Sequence, residues 1–411
     1  MIDRPYLLVM TLPCYIDAQG RRFVEELWHK DLVEHLAQIR DLTLAAPLIP
    51  WRPDLKLIPI DPSTFEGTLR HVDLPPCDST LRTLVNLPRT SARLWKAIGA
   101  SDIVHSNAGG WPISFGWVAI PMARLRGKFA LTNVESGGWR MGFNRPWRPK
   151  SLIQAVAFES MARVIVNLSD IATFTHSGYR DSMLMARRKD RGHIVCASWI
   201  DRENILSRES AEATWREKLA DPARPLRIVF AANLLPSKGI AVLIAALKEL
   251  ERRGVAVELD MYGRGPMLDE CVEASKALTG SVRMTMKGML AYGEPFFRML
   301  LEHDLMAVPS LSDEQPRIIY DSFARALPVV ASNTPGVVQC VTDGLDGKIV
   351  PVGDAKALAD AIEWASNNRE KLRDLGINAL DVANALTHDQ MHARRAELIE
   401  SALSRVAMSH D

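Results

Sequence analysis

The 411 residues carry 50 Lys and Arg against 49 Asp and Glu, are 47% apolar, and include five cysteines and ten tryptophans. A chain this long exceeds what one core supports, so two domains are expected, and the composition is ordinary for a folded cytosolic protein. The cysteines are odd in number and widely spread, with no C-x-x-C, so neither a disulfide framework nor a zinc site is suggested, and buried free thiols are expected.

The near-neutral total conceals an asymmetry. Residues 1–200 hold 25 Lys and Arg against 18 Asp and Glu, a net of +7, and residues 201–411 hold 25 against 31, a net of −6. A basic first half suits an anionic partner or an anionic membrane surface, and peripheral membrane contact is one expectation. Scattered solvated charge is the competing reading. Trp139 and Trp147, with Arg140, Arg145, Arg148 and Lys150, are candidates for an interfacial patch; packing explains them equally. The first apolar run ends at Pro13, too short and badly flanked for a signal peptide, and no segment approaches the ~20 apolar residues of a spanning helix.

In chain order, Tyr6 to Leu12 reads as a strand, then comes a Gly20 turn and a helix through Phe23, Leu27, Leu32, Leu36 and Ile39. Leu42 to Ala46 is the next strand. Residues 47–90, rich in proline and weakly periodic, read as a long excursion. Asp102 to His105 and Phe129 to Val134 are short buried strands, with a buried helix from Trp111 to Met122 between them. Ile171 to Thr175 and Ile194 to Ala197 complete the half. A charged helical stretch leads to the Pro-bounded run Asp221 to Pro225, a candidate linker.

Beyond it strands and helices alternate cleanly. Strands are expected over Leu226–Ala231, Ala256–Tyr262, Val282–Met286, Leu305–Val308 and Pro328–Ala331, with helices between and after them and a purely helical tail. Such alternation implies right-handed crossovers and a parallel, doubly wound sheet. The expected domains are a Rossmann-like 1–205, a linker 206–225, a second Rossmann-like domain 226–385 and a C-terminal helix 386–411 returning to the first domain.

In doubly wound sheets ligands sit beyond the carboxyl ends of the strands. After the first strand of the second half, Asn233 to Ile240 places Lys238 at a helix start, where N–H groups and the dipole already favour an anion such as a diphosphate. Gly263-Arg264-Gly265-Pro266 lacks dinucleotide spacing, and a plain turn is its competing reading. In Asp313 to Asp321, Pro316 suits the first helical position. The backbone at 316–318 faces phosphate, Asp321 can accept two hydrogen bonds from a ribose diol, and Asp313 lies near the sugar end. An N-capped helix with a solvated Asp321 is the alternative.

These motifs, with Leu327 to Ser332, Gly336, Asp343-Gly344, Gly347 and Val350 to Asp354, resemble the signature of family 4 glycosyltransferases over roughly residues 226–365. The resemblance implies a GT-B fold, α/β, with two Rossmann-like domains facing a cleft, and a retaining transferase that uses a nucleotide sugar. It places Met289 and Leu290 in a base-binding loop, Gly20 and Arg21 in a glycine loop of the first domain, and His105 at the end of a D-I-V-H strand. Where members carry a histidine near the reacting sugar, this chain has Glu135. Both signature glutamates are aspartates here, Asp313 and Asp321, and a usual arginine is Asn233.

The implied donor site is Gly20, Arg21, Asn233, Lys238, Gly263, Met289, Leu290, Asp313, Pro316, Arg317, Ile318 and Asp321. Asp313, Lys238 and Glu135 are the catalytic candidates, and His105, Asn107 and Glu135 the acceptor-side ones. For His105 a structural role competes. No D-x-D occurs, so neither metal nor cofactor is expected. Partners would be a hexose donor linked to UDP or GDP and a glycan, lipid-linked or small-molecule acceptor, with a cytoplasmic location. A catalytically silent nucleotide-binding relative is the second reading, and an epimerase or phosphorylase the third.

Overall fold

The short apolar runs pair in parallel because most of the segments joining them are long enough to cross back as helices. The computed structural model describes residues 1–408 except 111, 141–147 and 313, and only the backbone of 406–408. The described residues divide into two compact units, one within 1–140, 152–195 and 389–408, the other within 148–151 and 196–388.

In the first unit, β1 (Tyr6–Val9), β2 (Cys14–Ile16), β3 (Arg22–Glu25), α1 (Glu26–Gln38), β4 (Asp41–Pro50), β5 (Leu57–Pro59) and β6 (Thr68–Leu74) precede α2 (Thr80–Gly99). Then follow β7 (Ile103–Asn107), α3 (Gly116–Leu125), β8 (Phe129–Val134), α4 (Pro149–Leu168), β9 (Ile171–Phe174), α5 (Ser177–Met183) and β10 (Gly192–Ile194). The ten strands run β10-β9-β8-β7-β1-β4-β2-β3-β5, with β6 also on β4. The excursion expected at 47–90 is corrected: β6 pairs with β4 from Asp41↔Thr68 to Pro47↔Leu74, and α2 starts at Thr80. The antiparallel β2–β3 hairpin makes the Gly20 turn, with Gly20 at φ +80.

Strand alternation sends Leu7, Val9, Val104 and Ala130 to the face covered by α2–α5, and Tyr6, Leu8, Ile103 and Leu131 to the other. That second face is closed by α1 and by α13 (His388–Met408), whose Met391, Leu398 and Ile399 share a core with Leu32 and Leu36. Polar ties pin the helix. His392 Nε2 lies 3.0 Å from Asp31, and Arg395 Nη1 lies 3.4 Å from His35 Nε2.

The second unit holds α6 (Arg208–Leu219), β11 (Leu226–Ala231), α7 (Ile240–Arg252), β12 (Val257–Tyr262), α8 (Leu268–Ala277), β13 (Val282–Gly288), α9 (Glu294–Leu301) and β14 (Leu305–Val308). It continues through α10 (Ile318–Phe323), β15 (Val329–Ser332), β16 (Gly347–Val350), α11 (Ala355–Asn367) and α12 (Arg369–Ala385). Its six strands are all parallel, ordered β13-β12-β11-β14-β15-β16. Residues 206–225 do not behave as a linker. Trp215 of α6 is 1% exposed in this unit's core and donates its indole N–H to Ala326 O. Arg224 makes two bonds, of 2.6 and 2.7 Å, to the buried Asp304, which Arg369 also contacts. A buried carboxylate shared by two guanidiniums fixes the segment against the sheet.

All five cysteines are free thiols. The expectation that no segment reaches spanning length is also corrected. Among the described residues α4 is long and apolar enough to cross a membrane by length and composition. It nonetheless joins the neighbouring strands β8 and β9, with Ala162, Ile165 and Val166 in the sheet's core.

Candidate functional site

The loops at the carboxyl ends of β11, β12, β14 and β15 pack on one another so closely that particular positions admit only glycine. Gly239, at φ +72, caps the turn after Lys238, and a Cβ there would stand 1.7 Å from Pro309 O. Gly263, at φ +143, would place one 1.9 Å from Ala232 O. A Cβ on Gly336 would meet Glu314 O at 2.4 Å. Backbone bonds join the loops after β11, β12 and β14 to one another and to the end of β13: Leu234 N to Arg264 O, Gly263 N to Gly288 O, and Leu311 N to Ser237 O, each 2.8 Å. Four loops of distant sequence thereby form one rigid rim.

Charged and polar groups stand on this rim. Lys238 lies just before α7 rather than inside it, and its Nζ is 3.6 Å from Glu314 Oε2, with both side chains about a quarter exposed. Asn233 is exposed. Arg317 precedes α10 and lies over the Trp199 ring at 4.8 Å, and that ring in turn stacks on His388. The first helical bond here runs from Ile319 N to Pro316 O, so the N–H groups of Arg317 and Ile318 precede the ladder. Pro316 has no N–H to offer a phosphate, which corrects the expectation for 316–318.

Asp321 is in the first turn of α10 and is 7% exposed, not solvated. Its Oδ1 accepts the Tyr292 hydroxyl at 3.0 Å. Burial, then the Asp321 charge, pushes the Tyr292 phenol well up, so it remains a donor. Beyond β13, Met289 is 60% exposed, while Leu290 packs against the core around Phe296 and Phe297. Asp313 lies outside the described residues.

Gln315 anchors the segment. Its Oε1 accepts from Ala197 N at 2.8 Å, and its Nε2 donates to the Tyr320 hydroxyl at 2.9 Å and to Cys340 Sγ. Tyr292, Glu314, Gln315 and Trp199 were not among the expected site residues. Glu314 and Gln315 sit inside the motif and were legible there. Tyr292 and Trp199 reach the site across 29 and 118 residues, with no local signal. Several motif positions are scaffolding. Asp343 accepts from Ile349 N, Gly344 turns at φ +75, and Asp354 caps α11.

In the first unit, Asn107 and Glu135 stand at the carboxyl ends of β7 and β8. Glu135 is exposed and accepts from Asn133 Nδ2 at 2.8 Å. The loop after it is fastened by Glu159, which accepts from Trp139 Nε1, Arg140 and Arg163. Burial opposes ionisation of Glu159, but these bonds prevail and hold its pKa below the usual value. Trp139, 5% exposed, and the Glu159-bound Arg140 are thus packing residues, not an interfacial patch, while Arg145 and Trp147 lie outside the described residues.

His105 takes its structural reading rather than the acceptor-side one. It is 2% exposed, its Nδ1 is 2.9 Å from the Tyr6 hydroxyl, and burial drives its pKa well below 6.5. A ring enclosed between Tyr6 and His35 is a core histidine. Gly20 and Arg21 lie in the exposed hairpin turn, where Asp17 accepts from Arg21 N and Nε at 2.8 and 2.7 Å. Asp31, His35 and His392 form a triad of metal-ligand type, but the guanidinium of Arg395 already meets His35 there.

The family model described as Glycosyl transferases group 1 matches residues 211–382. Alpha-D-kanosaminyltransferase of Streptomyces kanamyceticus is 25% identical over 335 residues, 79% of this chain and 82% of the relative. The GDP-mannose-dependent alpha-(1-6)-phosphatidylinositol monomannoside mannosyltransferase of Mycolicibacterium smegmatis is 27% identical over 293 residues, 67% and 70% of the two chains. Anabaena HepE in complex with UDP superposes with a TM-score of 0.65 at 15% identity, covering 97% of this chain and 100% of that one. Sucrose-phosphate synthase of Thermosynechococcus elongatus gives 0.69 at 18%, covering 98% and 100%. These structural likenesses establish the fold.

Proposed function

We propose, for a chain that is a group 1 glycosyltransferase with the GT-B fold, that it moves a hexose from a UDP- or GDP-linked donor to a glycan, lipid-linked or small-molecule acceptor with retention at the anomeric carbon. The observation that carries this reading is the rigid rim of the second unit, which gathers Lys238, Arg317 and the buried Asp321 where a nucleotide sugar would need them. The M. smegmatis relative is GDP-mannose-dependent, and HepE was solved with UDP and with UDP-glucose, which supports a nucleotide-linked donor.

In the proposed reaction the bond from the anomeric carbon to the distal phosphate oxygen breaks. The acceptor oxygen bonds to that carbon on the same face, and its proton passes to the departing phosphate. The main electrostatic demand is charge developing on the leaving diphosphate. Lys238 and the N–H groups before α10 meet that charge from fixed positions, which avoids reorganisation as it forms. Asp321, oriented by Tyr292, takes the ribose hydroxyls, and Met289 and Leu290 flank the base. Asp313 is assigned to the transferred sugar, and Glu135 and Asn107 to the acceptor side.

A panel of UDP, GDP, ADP and their sugars, read as thermal shift and as nucleotide release, tests this. One nucleotide class should raise the melting temperature, and its sugar should be turned over. Stabilisation without turnover on any acceptor would favour the silent relative, a reading motivated by the uncharged Asn233. No stabilisation by any nucleotide would overturn both.

A further inference from the structure

The helices over one face of the first sheet turn apolar side chains towards solvent. On α2 these are Leu81, Leu84 and Val85, 74%, 50% and 70% exposed. On α4 they are Leu152, Ile153 and Val156, 44%, 70% and 57% exposed. Their spacing of three and four makes each group a stripe on one side of its helix. The opposite sides are buried, through Thr83, Thr90 and Leu94 in α2 and Ala155, Ala162 and Ile165 in α4. A helix on a water-facing layer normally has the reverse pattern, so an apolar outer stripe marks a contact surface.

The two stripes belong together. In a parallel sheet with right-handed crossovers the helices run against the strands, so the first turns of α2 and α4 lie at the same carboxyl edge. The helix between them, α3, packs on α2 and meets α4 through Trp117 and Phe158, whose rings are 4.7 Å apart.

Charge identifies the occupant. From Asp78 to Ser101 the chain carries Arg82, Arg89, Arg93 and Lys96 against one acid, Asp78, which pairs with Arg82 and leaves the other three cations in excess. The α4 helix opens with the exposed Lys150. A second copy of this chain would set like charges against each other. An anionic bilayer accepts both the apolar stripes and the basic rim. Spanning is ruled out, because the inner side of α4 is part of the sheet's core.

We infer that the outer faces of α2 and α4 seat the first unit in the plane of a membrane interface rich in anionic headgroups. Flotation of the full chain with vesicles of phosphatidylcholine, alone or with about a third phosphatidylglycerol, tests this. The chain should float with the anionic vesicles, be released by high salt, and ignore the neutral ones. Val85→Asp with Ile153→Asp should lower the bound fraction roughly tenfold or more at an unchanged melting temperature. If that variant does not fold, Arg89→Gln with Lys96→Gln, which keeps the stripes, should weaken anionic binding several-fold. Equal flotation of wild type and variants, or none by wild type, would overturn the assignment. So would a concentration-dependent dimer, or a complex with an acidic protein in place of vesicle binding, that the aspartates abolish. The nucleotide-induced thermal shift should be the same in every variant, which separates this outcome from the fate of the donor proposal.

Discussion

The second unit is a sheet of six parallel strands, and its chemistry gathers on loops locked to each other at one edge. The first unit is a wider, mixed sheet, extended by the β2–β3 hairpin and β5. It buries histidines in its core and leaves apolar side chains outside. One architecture thus serves as a rigid holder in one half and as a surface of contact in the other. Where loops touch backbone to backbone, little can be altered without losing the site. Where helices face solvent, composition is free to change and to carry a partner's imprint.

Paired glycines break this comparison most severely. Gly239→Ala should cost at least about 3 kcal/mol and abolish nucleotide-induced stabilisation, because positive φ combines with a Cβ clash against Pro309 O. Gly20→Ala, at positive φ but with open space around it, should cost only about 1 kcal/mol. Denaturant melts of the two variants would check this, and equal losses would refute the idea of a locked rim.

Acid should separate the units next. Burial holds His35 and His105 well below 6.5, with neighbouring positive charge adding to the shift, and brings His71 down to about 4. The unfolded chain protonates near 6.5 and the folded one does not. Stability of the first unit therefore falls as pH drops below 6.5, by up to about 1.4 kcal/mol per pH unit for each imidazole. In the second unit, burial raises Asp346 to about 6, a shift of opposite sign whose stabilisation is present below the unfolded carboxyl value and lost as pH rises through about 6. Melting monitored from pH 7 to 4.5 should show the first unit weakening more steeply, and His35→Gln should flatten that slope by about one proton.

A smaller effect sharpens the holder. Tyr292→Phe removes a donor from the buried Asp321 and should cost about 1 kcal/mol while raising the donor KM more than it lowers kcat. An unchanged KM would mean that Asp321 does not meet the donor.

Much of the second unit was legible in the sequence. Alternating strands and helices are what a sheet covered on both faces imposes, and the motif loops follow its strand ends. β6 and α2 were not legible. Exposed Leu81, Leu84 and Val85 blur the inside–outside periodicity of α2, and Pro88 interrupts it. The same apolar exposure that hid the helix is what gives it a contact face. At the site, Lys238 and Asp321 were readable because a local motif places them, whereas Tyr292 and Trp199 arrive through tertiary packing that no nearby residue announces.

The central claim is that Lys238 on the locked rim binds a diphosphate and stabilises its departure. The direct measurement is nucleotide release from the best donor by wild type, Lys238→Ala and Lys238→Arg. The account predicts a loss in kcat/KM of about a hundredfold or more for alanine, partial recovery for arginine, and melting temperatures within a degree or so of wild type. An undiminished kcat/KM for folded Lys238→Ala would contradict it.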